Sequence, residues 1–308
     1  MQAQHVVGTP RALAYVPVRR PRLAAGVLLR ACRPKQWSKN LLVLAAPCAA
    51  GVVTQPRVAV EVLAAFVAFC LLSSATYLIN DVRDREQDRR HPRKRTRPVA
   101  AGELSPSAAL WSAAAMGLSG AAIATAVRPA LGALSCGYVV LTVSYSLWWR
   151  HVVVADIVAI SAGFVLRAVA GGVATDVFLS RWFLLVTSWC AVFLVAGKRY
   201  GELNDVAIHA STRTTLRGYS VGCLRLLLLL AAVFASAAYA MWAFTRPEHG
   251  VWYEPSMIPF VAWLVRYRIL LGRGAGGAPE ELILRDRVLL ALSFAWALLF
   301  VGGVYVGR

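Results

Sequence analysis

Apolar stretches of transmembrane length alternate with short polar segments along the 308 residues of this chain. An α-helix needs about 20 mainly apolar residues to cross the hydrocarbon core of a membrane, and several of the stretches approach or exceed that length. The pattern therefore predicts an all-α, polytopic membrane protein. Nine transmembrane helices are predicted, over residues 41–56, 59–79, 108–127, 130–149, 152–172, 181–199, 222–245, 255–271 and 286–306.

Two regions are predicted. Residues 1–40 form a cytoplasmic N-terminal segment, and residues 41–308 form a single nine-helix transmembrane catalytic domain. Within the N-terminal segment, residues 22–33 mix short apolar runs with arginines. This mixture is typical of a helix that lies at the inner headgroup boundary of a membrane.

The distribution of positive charge predicts the orientation. With the N-terminus inside, 27 of the 33 Lys and Arg residues fall in cytoplasmic segments, as the positive-inside rule requires. A net charge of +18 would suggest nucleic acid as the partner of a soluble chain, but here the charges flank membrane spans and we expect no nucleic-acid partner. Six scattered cysteines without a C-x-x-C pair predict neither disulfides nor a zinc site. We predict a multi-pass protein of the inner (plasma) membrane.

A motif of one asparagine and three aspartates, N-D-x-x-D-x-x-x-D, directly follows the second predicted span and comprises Asn80, Asp81, Asp84 and Asp88. If the helix continues through it, residues three and four apart share one face, so all four side chains lie together. Like charges at this spacing repel one another, and a divalent cation reverses that effect. Mg²⁺ prefers oxygen ligands and completes its shell with water and substrate phosphates. The array therefore predicts a magnesium site; the alternative is a loop that is acidic by chance.

Cationic residues surround this array. Eight Lys and Arg residues lie between Arg83 and Arg97. They suit the phosphates that accompany a metal ion, and a lipid-binding polybasic segment has the same composition. Lys35 and Lys39 precede the first span, four residues apart on one predicted helical face. They are interpreted either as ligands of a phosphate near the membrane surface or as anchors at the inner boundary.

The sixth span ends in a second mixed-charge cluster, K-R-Y-G-E-L-N-D, which includes Lys198, Arg199, Glu202 and Asp205. Lys198 lies four residues before Glu202 and Asp205 three after it, so one helical face carries a cation and two carboxylates. Two acidic clusters at the inner ends of two membrane helices can together hold a diphosphate between metal ions. We interpret the two clusters as the catalytic centre.

Arg167 lies within the fifth span, where an arginine costs roughly 2.5–3.5 kcal/mol on insertion scales. It is therefore predicted to face the bundle interior and an acidic or phosphate partner, in a functional or substrate-gating role; a structural ion pair is the alternative. Asp156 lies eleven residues earlier on the same helical face, which is too far for a direct contact with Arg167.

The sequence resembles the UbiA-type intramembrane prenyltransferases over most of its length. The resemblance is carried by the nine predicted spans, N-D-x-x-D-x-x-x-D after the second and an acidic motif after the sixth. In that family the two motifs face each other across a cavity and bind a diphosphate through Mg²⁺. The resemblance therefore implies nine helices around a central cavity that opens to the cytoplasmic side.

Two departures from the family pattern narrow the resemblance. The second motif reads K-R-Y-G-E-L-N-D instead of D-x-x-x-D, and the entry to the first span reads R-P-K-Q-W-S-K-N. Both variants are similar to one branch, the decaprenyl-phosphate phosphoribosyltransferases. The resemblance implies Mg²⁺-dependent transfer of 5-phosphoribose from phosphoribosyl diphosphate to decaprenyl phosphate, or another polyprenyl phosphate, in the synthesis of a cell-wall arabinan precursor.

These matches imply roles for individual residues. Asp81 is expected to lie behind or beside the metal ligands as a further catalytic carboxylate. The expected metal ligands are Asn80, Asp84, Asp88, Glu202 and Asp205. The expected substrate-binding residues are Lys35, Lys39, Lys198 and Arg199 for the diphosphate or lipid phosphate, Arg93, Arg95 and Arg97 for the 5-phosphate, and Arg167.

Two other functions remain open at this stage. An enzyme of the same fold could move a prenyl chain from its diphosphate to an aromatic or other small acceptor. A transporter or scaffold could bind anionic lipids through its basic inner face. Only the enzymes require Asp84 and Asp88 for function. The sequence also leaves open whether the protein forms a homo-oligomer.

Overall fold

The computed structural model describes residues 25–92, 94–204, 218–245, 250–274 and 279–306, and the regular structure in these ranges is entirely helical. A 3₁₀ helix, Pro34–Leu44, follows the first α-helix, and a π-helical turn, Tyr145–Trp149, follows the sixth. The α-helices are α1 Ala25–Cys32, α2 Ala45–Ala49, α3 Pro56–Arg83, α4 Arg85–Arg90, α5 Pro106–Val127, α6 Pro129–Ser144, α7 Val153–Thr175, α8 Arg181–Asn204, α9 Val221–Phe244, α10 Gly250–Gly272, α11 Pro279–Arg285 and α12 Arg287–Tyr305.

Seven helical segments of the described residues are long and apolar enough to cross a membrane, which confirms the prediction of a multi-pass helical membrane protein. They are α3, α5, α6 with the π-helical turn, α7, α8, α9 and α12. The eighth predicted span corresponds to α10, which has 23 residues but carries Glu254, Arg266 and Arg268 and is not among the seven. Nine candidate spans are therefore not found in the described part of the chain.

The first predicted span, residues 41–56, differs most from the structure. The helical segment begins earlier, at Pro34, and changes from 3₁₀ to α geometry before the chain turns at Gly51, where φ is 65°. A 3₁₀ helix rises about 2.0 Å per residue, against about 1.5 Å for an α-helix. The segment therefore reaches farther than an α-helix of the same number of residues.

Two groups of helices form the core. In the first, α3 packs against α5, α6, α7 and the 3₁₀ helix, and the rings of Phe69 and Tyr138 lie 5.2 Å apart between their centres. In the second, α8 packs against α9 around Phe193 and Leu228, and Tyr267 of α10 lies against Phe193. Contacts between α7 and α8 join the two groups. Because Asp156 near the start of α7 contacts Arg199 near the end of α8, the link before α7 and the link after α8 lie at the same end of the bundle.

Helix α1 packs across the end of the bundle at which α3 ends. Its Ala31 lies in an apolar cluster with Leu78 of α3 and Leu104 of the loop before α5. Arg30 contacts Glu103 of the same loop. Within the segment predicted over residues 22–33, Ala25–Cys32 thus form a helix, and its packing brings the next residue, Arg33, beside the end of α3.

Gly171 of α7 allows the 3₁₀ helix to approach closely. A β-carbon at this position would lie 1.8 Å from the Val43 carbonyl oxygen. We expect Gly171→Ala to destabilise the protein by about 1–3 kcal/mol, because a backbone group must move. Thermal unfolding of the purified protein measures this, with Gly137→Ala as control because nothing lies within 4 Å of its added carbon. Equal unfolding temperatures for the two variants would contradict the packing described.

Candidate active site

The acidic array continues the helical path of α3 into α4. The Asp84 N–H donates to the Asn80 carbonyl oxygen at 2.9 Å, and the Asp88 N–H donates to the Asp84 carbonyl oxygen at 2.8 Å. The four side chains nevertheless do not form one array. They divide into the pair Asn80 and Asp84 and the pair Asp81 and Asp88, because each pair contacts a different set of partners.

Helix geometry is consistent with this division: the four positions cover an arc of about 100°, with Asn80 and Asp84 toward one edge of it and Asp88 and Asp81 toward the other. At about 100° per residue, positions seven apart differ in direction by about 20°, while positions eight apart differ by about 80°. Asp88 therefore lies with Asp81 and not with Asn80. Asp81 and Asp88 are each 2% exposed, and both accept hydrogen bonds from Arg97 Nη1, at 3.2 Å and 2.6 Å respectively.

Asn80 and Asp84 face the π-helical turn between α6 and α7. The Ser146 hydroxyl donates to the Asn80 side-chain oxygen. Arg150 Nη1 donates to both oxygens of the Asp84 carboxylate, at 2.9 Å and 2.8 Å. Arg83 also holds this turn, because its guanidinium donates to the Ser146 carbonyl oxygen. The turn therefore positions the side chains that contact this pair, and π-helical turns often occur at functional sites.

Arg199 is the centre of the second cluster. It is 5% exposed; its Nε and Nη2 donate to Asp156 at 2.5 Å and 2.8 Å, and its Nη1 donates to Glu202 at 2.5 Å. Asp156 also accepts from the hydroxyls of Tyr145 and Tyr219. Burial and the neighbouring Asp156 raise the pKa of the Tyr219 phenol, so it remains a donor at neutral pH. Two carboxylates thus engage Arg199, which was predicted to bind a phosphate.

The two acidic clusters lie at the same end of the bundle, because adjacent residues of the π-helical turn contact both. Ser146 donates to Asn80 of the first cluster. Tyr145 donates to Asp156, the partner of Arg199 in the second cluster. A continuous path of hydrogen bonds and one peptide link therefore joins the end of α3 to the end of α8.

The cations of the loop after α4 have different surroundings. Arg97 contacts both buried carboxylates of the first cluster, whereas Arg95 is exposed. Two predicted site residues, Arg93 and Asp205, lie outside the described residues.

The predicted common face of Lys35 and Lys39 is not found. In a 3₁₀ helix, residues three apart are aligned and residues four apart are not. Lys35 is accordingly exposed, while Lys39 is half-buried. Lys198 is half-buried one residue before Arg199. None of these positions excludes a contact with a phosphate, and their roles stay predictions.

Arg167 is buried among neutral partners, instead of the acidic or phosphate partner that was predicted. Its Nε donates to the Asn40 side-chain oxygen at 2.7 Å, its Nη1 to the Gly163 carbonyl oxygen at 2.8 Å and its Nη2 to the Tyr138 hydroxyl at 2.6 Å. The guanidinium carbon also lies 4.7 Å from the centre of the Tyr138 ring. These contacts join the 3₁₀ helix, α6 and α7, which is a packing role.

Sequence reasoning missed Arg33 and Arg150 and left Asp156 without a role. Arg150 lies in a short link where the positive-inside rule accounts for any arginine, so its charge alone gave no signal. The signal that could have found it is the polar pair Tyr145 and Ser146 at the end of an apolar span, just before this arginine. That pattern draws attention to the segment, but it predicts neither the π-helical turn nor the contact between Arg150 and Asp84.

The oxygen atoms of Asn80, Asp84 and Glu202 fit a hard divalent cation. The carboxylate side chains of Asp84 and Glu202 are 19% and 16% exposed, so an ion can reach them. Within the described residues no three His, Cys, Asp or Glu side chains are grouped as a closed metal site. Mg²⁺ usually takes only one or two protein carboxylates and completes its shell with water and phosphate oxygens. The separate clusters therefore suit an ion that binds together with a phosphorylated ligand.

A cavity of about 710 Å³ lies at the other end of the bundle, between the α5–α6 link and the end of α7. Arg128 and Asp176 line it and form an ion pair with a separation of 3.4 Å. The central cavity that was predicted beside the acidic clusters stays a prediction.

The fold and the site define a multi-pass, all-α membrane protein in which two acidic clusters meet at one end of the helical bundle. The sequence profile of the UbiA prenyltransferase family matches residues 41–285, which include both clusters. The chain belongs to this family, as the resemblance of its motifs indicated.

Individual relatives support the same placement. The decaprenyl-phosphate phosphoribosyltransferase of Corynebacterium glutamicum is 42% identical over 298 residues, which cover 93% of this chain and 89% of the relative. A protein of the same name from Mycobacterium tuberculosis is 43% identical over 280 residues, which cover 89% and 92%. A UbiA homolog from Archaeoglobus fulgidus, solved bound to GPP and Mg²⁺, aligns with a TM-score of 0.67 at 17% identity, over 91% of this chain and 99% of that one. The last comparison shows a shared fold.

Proposed function

We propose that this protein transfers 5-phosphoribose from phosphoribosyl diphosphate to a polyprenyl phosphate, with decaprenyl phosphate as its acceptor, and releases diphosphate. The observation that carries the proposal is the connection of two acidic clusters through Tyr145 and Ser146 at one end of the bundle. The two relatives at 42% and 43% identity carry the name of this activity and support the assignment. The product would serve as a precursor of cell-wall arabinan.

The chemistry requires the kind of groups that the site contains. The bond between ribose C1 and the diphosphate oxygen breaks, and a bond between C1 and an oxygen of the lipid phosphate forms. Positive charge develops on the ribose, and negative charge develops on the leaving diphosphate, which must be stabilised by cations. Because the lipid phosphate is already anionic at neutral pH, the acceptor needs no strong general base.

Mg²⁺ fits the oxygen donors of the site and, when bound, would neutralise the leaving diphosphate. Asn80 and Asp84 would hold it from the end of α3. Glu202 would hold it, or a second ion, from the end of α8, together with Asp205. Asp88 was also predicted as a ligand, but its buried carboxylate pairs with Arg97 and Lys94, and it is left out of this set.

Arg150 contacts Asp84, one of the two proposed metal ligands at the end of α3. Its two hydrogen bonds to the Asp84 carboxylate fix the rotamer of that side chain before the donor binds. Since an arginine also binds phosphate oxygens with good geometry, Arg150 can follow the incoming charge and donate to the diphosphate. Lys35 and Lys39, near the start of the 3₁₀ helix, remain candidates for the diphosphate or the lipid phosphate.

The active site is proposed to face the cytoplasm from the plasma membrane, with the N-terminus on the same side. The excess of Lys and Arg in the segments at this end supports that orientation. A soluble, highly charged sugar donor would reach the site from water, and the polyprenyl tail would lie along apolar helices with its phosphate at the surface.

The test is transfer of label from ¹⁴C-ribose-labelled phosphoribosyl diphosphate to an organic-soluble lipid, using protein purified into nanodiscs with decaprenyl phosphate and Mg²⁺. Labelled lipid that requires both Mg²⁺ and the acceptor is the expected result. The same preparation should form no product from a prenyl diphosphate and an aromatic acceptor. Absence of labelled lipid, with prenylation of the aromatic compound instead, would overturn the proposal.

A further inference from the structure

Three cationic side chains converge on the two buried carboxylates of the first cluster. Arg97 contacts both Asp81 and Asp88, as described above. Arg33 contacts Asp81, and Lys94 Nζ lies 3.8 Å from Asp88 Oδ1. Within this group, which we call the three-cation cluster, the positive charges outnumber the carboxylates by one. The excess charge favours an anion at this position.

The three-cation cluster is layered. The side chains of Asp81 and Asp88 are 2% exposed. The side chains of Arg33 and Arg97 are 27% exposed, and that of Lys94 is 31% exposed. The acids therefore lie beneath and the cations lie above them, toward the surface. Arg33 donates to Asp81 through Nη2, and Arg97 donates to both carboxylates through Nη1. Each of these contacts uses one terminal nitrogen of a guanidinium that has five N–H donors.

Arg33 has a backbone conformation that is uncommon for a residue other than glycine, at the position that directly follows α1. Its φ of 55° and ψ of 63° are in the left-handed region, which a residue with a β-carbon adopts only at a cost. A left-handed residue at this position commonly ends a helix, and here it forms the turn between α1 and the 3₁₀ helix. The guanidinium lies over the Tyr77 ring, 4.9 Å from its centre. Burial lowers the pKa of Arg33, and Asp81 opposes that effect, so the side chain remains a cation.

We propose that Arg33, Lys94 and Arg97 bind the phosphate monoester of one substrate, and that Asp81 and Asp88 position these cations instead of ligating metal. The proposal rests on the proposed function, because both substrates of that reaction carry such a group. The donor has its 5-phosphate and the acceptor its lipid phosphate. The diphosphate is distinct from this group, because its metal is proposed to bind Asn80 and Asp84, which contact Ser146 and Arg150 and not the three cations.

Direct binding of two probes tests the site without turnover and without metal. Ribose 5-phosphate represents the donor, and farnesyl phosphate represents the lipid acceptor. Calorimetry of purified protein in EDTA should show that one of them binds, which identifies the source of the phosphate. Arg33→Gln should weaken that binding about tenfold or more, because a charge-assisted hydrogen bond is lost.

Arg30→Gln is the matched control, because Arg30 lies three residues earlier, has a side chain 59% exposed and contacts a loop carboxylate, Glu103. It should change the binding of the probe less than about twofold. If Arg33→Gln does not fold, two other variants provide the second test. Arg33→Lys keeps the charge and should lose less affinity for the probe than the neutral variant Arg97→Gln.

Asp81→Asn separates positioning from metal binding. This variant should weaken the binding of the probe. The Mn²⁺ concentration at which half of the protein binds metal, in the presence of the donor, should stay as in the wild type. A raised Mn²⁺ requirement in Asp81→Asn would make this residue a metal ligand and overturn its positioning role. Failure of both probes to bind the wild type, or equal effects of Arg33→Gln and Arg30→Gln, would overturn the phosphate site. The labelled-lipid assay reports on the proposed function separately.

Discussion

Asp84→Asn should reduce the rate of phosphoribosyl transfer by more than about a hundredfold, while the protein still inserts and folds. Residues that only orient a metal ligand cost about 10–100-fold when they are changed, and a direct ligand is expected to cost more. The amide preserves the size of the side chain, so the end of α3 and its contact with the π-helical turn can persist. Initial rates with labelled donor, at saturating substrates and increasing Mg²⁺, measure the effect.

Glu86→Gln is the matched control for this prediction. Glu86 lies two residues later on α4, its side chain is 70% exposed, and it pairs with Arg89 at 3.1 Å. The same change from carboxylate to amide should leave the rate within about twofold of the wild type, because an exposed pair contributes little. Wild-type rates for Asp84→Asn, or an equal loss for both variants, would rule out a specific role of Asp84.

Asp156→Ala should destabilise the folded protein by about 3–5 kcal/mol, because it leaves the buried guanidinium of Arg199 with one fewer carboxylate. Asp156 is 1% exposed and accepts from Arg199 and two tyrosine hydroxyls, so all of these donors lose a partner. The apparent unfolding temperature in detergent, followed by near-ultraviolet circular dichroism, measures the change.

Glu281→Ala serves as the control for that measurement. Its carboxylate is 65% exposed and lies 3.9 Å from Arg285, so its loss should leave the unfolding temperature nearly unchanged. The double variant Asp156→Ala with Arg199→Met should recover part of the lost stability, because no buried cation is left in place of the pair. Equal unfolding temperatures of Asp156→Ala and the wild type would contradict a buried ion pair at this position.

The positions of seven membrane helices could be predicted from the sequence, because a chain in lipid must pair its backbone groups within each apolar segment. The geometry of the first predicted span, residues 41–56, could not be predicted in the same way. Whether Pro34–Leu44 pairs its backbone three or four residues apart depends on its packing against α3 and α7, which composition does not report. As a result, the expected common face of Lys35 and Lys39 was wrong.

The sequence marks the acidic residues of the two clusters, but it does not predict their partners. Arg150 contacts Asp84 from 66 positions away, and Arg199 contacts Asp156 from 43 positions away. Such contacts depend on the packing of α6, α7 and α8, whereas spacing along one helix reports only its own face. Even there, a spacing of four residues repeated twice carries Asp88 away from Asn80, so the apparent single array divides into two.

The two-cluster site is tested most directly by pulsed electron paramagnetic resonance of Mn²⁺ bound in place of Mg²⁺, in the presence of phosphoribosyl diphosphate. If Asp84 and Glu202 hold one metal–diphosphate unit, the wild type will show ³¹P hyperfine coupling from the diphosphate. Both Asp84→Asn and Glu202→Gln will then lose most of that signal. Full ³¹P coupling in Glu202→Gln would contradict the joint site, because one acidic cluster alone would suffice to bind the donor.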